Sequence, residues 1–240
     1  MSKKTIQLIV NIIVIINIII IVIFGYHIMI NNKYSRKKVN ELLEKNIKNI
    51  NYIMEIEDSF IREGRVEKEK IVQKENTRKE ENMTNGYVRW YTNDFTFVKS
   101  ADRKVYYKAK EEIMDLKGNV TYRDITTKDV VNEATFRNDF RCFMYIDSNA
   151  DYKYLRKETY NNVDCIVIEF IGVSADPINN TSTDVKVWID LDTGFEIKEE
   201  HYCDGVLERE INYRVEINIV TDKEIDSPDI EEYTFIEKEE

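Results

Sequence analysis

From Ile6 to Ile30 the chain is apolar at nearly every position, isoleucine above all, and carries no formal charge at neutral pH. Read as a helix rising about 1.5 Å per residue, this run is roughly 37 Å long, enough to cross a hydrocarbon core of about 30 Å with some tilt. It exceeds the apolar stretch of a cleaved signal peptide, no small-x-small cleavage site follows it, and no cysteine lies near its end to take a lipid. The pattern therefore predicts a transmembrane helix over 6–30, within an uncleaved signal anchor formed by residues 1–35. Asn11 and Asn17 read either as tolerated amides or as hydrogen-bonding groups for a partner helix. His27, near the far edge, reads as interfacial.

Beyond the anchor the period changes twice. Ser35 is placed to cap a helix over Lys37–Ile50, with Val39, Leu42, Leu43, Ile47 and Ile50 on one side. From Tyr52, Met54 and Ile56 onward the period is two, and β-like segments follow at Ser59–Ile61, Lys70–Gln73, Tyr87–Tyr91, Asp94–Lys99 and Lys104–Lys108. Ser100-Ala101-Asp102-Arg103 reads as a hairpin turn. A second helix is expected over Lys128–Asp139, and strands resume at Arg141–Ile146, Tyr152–Glu158 and Val163–Ile171. The last of these is apolar on both faces, Ile166, Ile168 and Phe170 against Val163, Cys165 and Val167, so a helix or lid is expected over its second face. Residues 172–183 read as a loop.

The pattern is clearest after residue 184. Val185, Val187, Ile189 and Leu191 alternate with polar neighbours, Asp192-Thr193-Gly194 turns the chain into Phe195–Tyr202, and Asp204-Gly205 turns it again. The strand that follows puts Leu207, Ile211, Tyr213, Val215, Ile217 and Ile219 on one face and Glu208, Glu210, Asn212, Arg214, Glu216 and Asn218 on the other. Arg209 interrupts the apolar face. An antiparallel meander with one buried and one wet face results.

Charge sharpens this division. The chain of 240 residues carries a formal charge of −10, but residues 1–38 hold six cations and no acid. The remainder then holds 29 basic and 45 acidic groups, a −16 domain behind a +6 anchor. So acidic a domain lacks the basic footprint that nucleic acid requires. By the positive-inside rule, Lys33, Arg36, Lys37 and Lys38 would place the large domain in the cytoplasm.

The residues offer little catalytic chemistry. Asp192-Thr193-Gly194 matches the triplet of aspartic proteases, yet the chain holds no second copy, which only a homodimer could supply, and the acidic hairpin context favours a β-turn that uses Asp and Gly for backbone reasons. An envelope hydrolase using Asp192 is the alternative function this motif raises. His201, the only histidine outside the apolar run, reads as a surface residue beside Glu199 and Glu200, leaving no histidine for a triad and no zinc cluster. No Gly-rich phosphate loop is present and no cofactor is expected. Glu231, Glu232, Glu237, Glu239 and Glu240 read as a solvated, frayed tail. Cys142 and Cys165 either pair or remain, with Cys203, three free thiols.

The run Lys186-Val187-Trp188-Ile189-Asp190-Leu191-Asp192-Thr193-Gly194-Phe195-Glu196-Ile197-Lys198-Glu199-Glu200, then Asp204-Gly205 and a long strand, resembles the C-terminal hairpins of the LolA/LolB/RseB-like lipoprotein-carrier superfamily. Tyr91-Thr92-Asn93-Asp94-Phe95-Thr96-Phe97-Val98, followed by Asp102-Arg103-Lys104-Val105-Tyr106, is similar to that family's tyrosine-bearing hairpin. The resemblance covers about residues 37–236. It implies an α+β fold, with a curved antiparallel sheet forming a half-barrel closed by covering helices, here over residues 36–236 with an acidic tail at 237–240. It implies a non-enzymatic binding module outside the cytoplasm, which turns the expected orientation to N-in, C-out against the flanking charges. Its partner would be a lipid-like ligand, or an envelope protein such as a cell-wall enzyme. The lysine-, asparagine- and isoleucine-rich composition resembles that of a low-GC Gram-positive such as a clostridium, where similar domains occur as germination and sporulation lipoproteins. Those carry a lipobox cysteine, absent here. Trp90, Tyr91, Phe97, Tyr106, Ile166, Ile168 and Phe170 are the candidate lining of the concave sheet, each with ordinary core packing as the competing role.

Overall fold

The computed structural model describes residues 12–26, 34–46, 51–75, 77–92, 94–108, 110–114, 120–124, 139–176, 181–226 and 228–237. The chain divides into two units, Met1–Glu41 and Leu42–Glu240. In the first, residues 12–26 form a helix (α1) whose isoleucines, valines and Phe24 are all exposed. Among the described residues no helix is long and apolar enough to cross a membrane. The ends of the 6–30 run, with Asn11 and His27, lie outside the described residues. Helix α2 (Arg36–Leu43) starts where expected, the Ser35 carbonyl accepting from the Val39 amide at 3.0 Å.

The second unit is built on a twelve-stranded sheet. Its strands are β1 (Asn51–Phe60), β2 (Arg65–Lys74), β3 (Thr77–Asn82), β4 (Tyr87–Tyr91), β5 (Thr96–Lys99), β6 (Lys104–Tyr107), β9 (Asp151–Tyr160), β10 (Val163–Asp176), β11 (Thr181–Asp190), β12 (Glu196–Cys203), β13 (Val206–Ile217) and β14 (Thr234–Phe235). A separate hairpin joins β7 (Lys110–Met114) to β8 (Val120–Asp124). The spatial order is β14-β6-β5-β4-β3-β2-β1-β13-β12-β11-β10-β9. Two meanders, β1–β6 and β9–β13, are thus zipped together where β1 pairs with β13, Tyr52 opposite Ile217 and Phe60 opposite Arg209. All ladders are antiparallel except β14 on β6. The sheet is not closed into a barrel, and bulges within β9–β12 break the register locally, a device that bends strands.

Alternation fixes which side chains face inward. On β1, Tyr52, Met54 and Asp58 are buried while Ile53, Glu55 and Glu57 turn to the other face. Across the apolar half, Ile166, Ile168, Phe170, Val185, Val187 and Ile189 are fully buried or nearly so. Helix α3 (Arg141–Asp147) packs there, Tyr145 lying 5.6 Å from Phe170 between ring centroids. This segment was expected as a strand. Its buried positions, Cys142, Phe143, Tyr145 and Ile146, instead follow a helical spacing around exposed Met144. Aromatic and β-branched composition hid that period. The opposite face of β10 is covered by the sheet's own side chains, with Cys165, Val167 and Trp188 packed against Leu155, Tyr160 and Ile197 and Lys198 lying over the Trp188 and Tyr160 rings.

Two further expectations are corrected, and one strand had gone unread. Residues 172–183 are not a plain loop: after a bulge at Gly172 (φ 72°) the ladder resumes with Val173 opposite Thr183 and Asp176 opposite Thr181. Strand β3, all polar in sequence, had no alternation by which to be read. Glu231 and Glu232 are not frayed either. They form a 3-10 turn (Ile230–Glu232) held by the Lys104–Glu232 ion pair at 2.7 Å, next to Tyr233 docked on the β4–β6 aromatics. The expected helix at Lys128–Asp139 lies outside the described residues apart from Asp139. All three cysteines are free, with Cys142 on α3 against the inner face and Cys165 on the outer.

The Asp192 turn is a structural joint. Gly194 has φ 77°, and a Cβ there would sit 2.1 Å from the Leu42 carbonyl oxygen at the end of α2. Gly205, with φ 75° in the next turn, has open space around it. Gly194→Ala should therefore cost about 2–4 kcal/mol in urea unfolding, against about 1 kcal/mol for Gly205→Ala. Equal losses would show that the close approach to Leu42 contributes nothing.

Candidate functional site

The inward positions of β1, β2, β3 and β13 carry several charges that border a cavity, whereas those under α3 are mostly apolar and packed. Opposite one another in register stand Asp58 and Glu67, Ile56 and Glu69, Ile71 and Glu80, with Arg209 and Tyr213 arriving from β13. These side chains, with Arg78, Asp139 and Arg141, bound a cavity of about 460 Å³. That size falls within the range of ligand pockets.

Most of the charges are satisfied by one another. The Arg78 guanidinium, only 4% exposed, donates to both oxygens of Asp139, itself 7% exposed, at 2.8 and 2.7 Å. Its Nε donates to Glu80 at 2.6 Å, and the Tyr52 hydroxyl donates to Asp139 at 2.5 Å. Burial alone would lower the Arg78 pKa, but the Asp139 hydrogen bonds and charge push it above the ordinary value. Burial and the same carboxylate push the Tyr52 phenol up. Arg209, the interruption in the apolar face of β13, donates from Nε to Asp58 at 2.7 Å and from Nη2 to its second oxygen. Arg65 holds Glu67. Two inward charges of the cavity are left over. Among the described residues, the Arg141 side chain, partly buried, and Glu69, at the solvent-facing mouth, have no hydrogen-bond or ion-pair partner. Partial burial and the neighbouring Glu67, Glu80 and Asp58 raise the Glu69 pKa, and Arg141 opposes the shift.

Two fully buried acids lie beneath α3 and serve it. Glu196 accepts from the Arg141 and Cys142 amides at 2.8 and 2.9 Å, supplying from β12 the cap that Phe140 lacks. Burial and the Glu199 charge hold its carboxyl well above the ordinary range. Glu199 accepts from Tyr145 (3.0 Å) and Tyr213 (2.7 Å) and contacts His201 Nε2 at 2.8 Å. Burial works against its charge, but His201, the Arg141 charge and the Tyr213 hydrogen bond hold its pKa below the usual value. His201 is thus not the surface residue expected: its side chain is 15% exposed and belongs to the inner face. Glu199 is two residues away along the strand, so the sequence placed both on one face.

The seven expected lining residues divide between the two faces. Trp90, Phe97 and Tyr106 cluster on the outer face, Phe97 stacked on Tyr106 at 5.5 Å and covered by Tyr233. Ile166, Ile168 and Phe170 are fully buried under α3 on the inner face. Tyr91, also inward, accepts from Arg89 at 3.1 Å. Asp192 is exposed, and the turn uses its backbone: its amide donates to Asp190 at 2.8 Å, and Asp190 also accepts from Thr193. The cavity residues Glu69, Arg78, Asp139 and Arg141 were missed. The signal that pointed to them was Arg209, a cation in an apolar row that required an inward acid opposite.

No protein-family model matches the chain, and no curated protein matches it. Among solved structures, an uncharacterized conserved protein from Thermus thermophilus aligns with 85% of this chain and 99% of its own at 6% identity and a TM-score of 0.47. MucB, in the Pseudomonas aeruginosa MucA/MucB complex, aligns with 80% of this chain at 10% identity and a TM-score of 0.41, over 60% of its own length. A LolA superfamily protein from Nitrosomonas europaea aligns with 79% of this chain and 97% of its own at 13% identity and a TM-score of 0.26. At such scores the reading of this chain rests on its own geometry.

A buried pair broken on one side leaves an uncompensated charge. Arg78→Leu should cost about 3–5 kcal/mol in urea unfolding, and adding Asp139→Leu should restore most of it. A single-variant loss below about 1 kcal/mol, the value of a surface pair, would contradict the pairing described.

Proposed function

We infer that this chain is a non-enzymatic binding module, held at a membrane by its N-terminal segment, and that it binds a polar peptide segment of an envelope protein rather than a lipid. The observation that carries this reading is the division of the inner face. Its apolar half is occupied by α3, with Ile166, Ile168 and Phe170 fully buried, while the open cavity is walled by ion pairs. An acyl chain placed there would strip water from those charges without replacing its hydrogen bonds. A peptide brings donors and acceptors of its own. The cavity carboxylates of Asp58, Glu80 and Asp139 are engaged by arginines, which suits a binding wall better than acid–base chemistry.

Membrane anchorage is supported by the uncharged Ile6–Ile30 run and by the exposed apolar side chains of α1. An extracytoplasmic domain is supported by the resemblance to carrier-type modules, which hold lipid-like groups or envelope proteins.

Native mass spectrometry of the full chain, purified from membranes in a mild detergent, should show protein without stoichiometric lipid in the second unit. A lipid that stays bound after detergent exchange would return the function to lipid carriage. A reporter fused after Glu240 should be active outside the cytoplasm, and activity confined to the cytoplasm would overturn the orientation.

A further inference from the structure

Arg141 is the least expected charge in the cavity. It is partly buried, opens α3 with its amide fixed to Glu196 and borders the cavity; the charges of Glu199 and Asp58 act on it, but among the described residues its side chain has no hydrogen-bond or ion-pair partner. An arginine so placed is suited to receive an anion, and the planar guanidinium matches a carboxylate in two hydrogen bonds. The surrounding wall, however, holds more acids than cations, Asp58, Glu67, Glu69, Glu80, Glu81 and Asp139 against Lys70, Arg78, Arg141 and Arg209. A ligand with only negative charge would meet repulsion on the way to Arg141. A ligand with only positive charge would reach Glu69 at the mouth and leave Arg141 unmatched. The two groups, without ion-pair partners among the described residues, sense each other's charge.

We propose that Glu69 and Arg141 form a two-point clamp for a zwitterionic peptide segment, its carboxylate seated on Arg141 inside the cavity and its lysine or arginine side chain held by Glu69 at the mouth. This rests on the reading of the module as a peptide binder and names the chemistry that it selects. The clamp's other neighbours are already committed, Asp58 to Arg209 and Glu80 to Arg78, so they shape the wall and leave recognition to the two open groups. The volume of about 460 Å³ has room for a few residues and none for a folded domain.

Four capped peptides test the clamp on the unaltered full chain in nanodiscs: acetyl-Lys-Ala-Glu-amide, acetyl-Lys-Ala-Gln-amide, acetyl-Gln-Ala-Glu-amide and acetyl-Gln-Ala-Gln-amide, titrated by microscale thermophoresis. The doubly charged peptide should bind about tenfold more tightly than either singly charged one, as expected for one charge-assisted hydrogen-bonded contact per end. Glu69→Gln should erase the preference for lysine and keep that for glutamate, and Arg141→Met should do the reverse. Equal binding of all four, tightest binding by a singly charged peptide, or no binding by any up to millimolar concentration would overturn the clamp. The wild-type series decides the matter even if a variant fails to fold. Failure here with no lipid bound refutes the clamp alone, whereas retained lipid refutes the underlying reading.

Discussion

The bidentate contact between Arg78 and Asp139 is the constraint on which the charged half of the sheet depends. Burying a guanidinium in the middle of a strand is costly unless every donor finds an acceptor. Here Asp139, Glu80 and Tyr52 take up that role from three separate parts of the chain. The pair ties the residue two positions before α3 to β3, while Glu196 ties the first amides of α3 to β12. The short helix is therefore positioned by carboxylate contacts at its entrance as well as by its apolar side. One of those contacts needs a charged acid, and the other is made by an acid whose burial favours the neutral form.

This arrangement explains why the inner face has two characters on one continuous surface. Under α3 the inward residues are mostly aliphatic and aromatic, and the two acids among them, Glu196 and Glu199, are taken up by the first amides of the helix and by Tyr145, Tyr213 and His201. Away from α3 there is too little helix to cover the sheet among the described residues, so inward positions facing water carry charge. Pairing those charges within the wall keeps the strands aligned without an apolar lid.

Legibility in the sequence followed the strength of alternation. Strands β11 to β13 were readable because Val185, Val187, Ile189 and Ile211, Tyr213, Val215 repeat at period two between turn dipeptides. Strand β3 and the far ends of β10 and β11 were not, since their Thr, Ser, Glu and Asp side chains carry no inside–outside contrast. Helix α3 was misread because Phe143, Tyr145 and Ile146 have strand-like composition, and its helical start is specified by a glutamate 55 residues away. The cavity was visible only as an anomaly, Arg209 in an apolar row. Its partners come from β1, and pairing between distant segments has no signature in local composition. The aromatic residues chosen as lining, Trp90, Phe97 and Tyr106, pack together on the outer face of β4–β6, because alternation alone does not say which face is concave.

The parallel pairing of β14 with β6 has a bearing on biosynthesis. Strand β6 borders the first meander and leaves the ribosome long before Thr234 and Phe235 are made. Until then its outer backbone groups and the Trp90, Phe97 and Tyr106 rings lack the cover that Tyr233 and Phe235 later provide. An unpaired edge beside exposed aromatics invites pairing with other chains. The first meander must likewise wait for β13 before β1 gains its second neighbour. Until β13 and β14 are made, both borders of the first meander lack their neighbours, and pairing with sister chains on one polysome is the hazard that this order of synthesis creates.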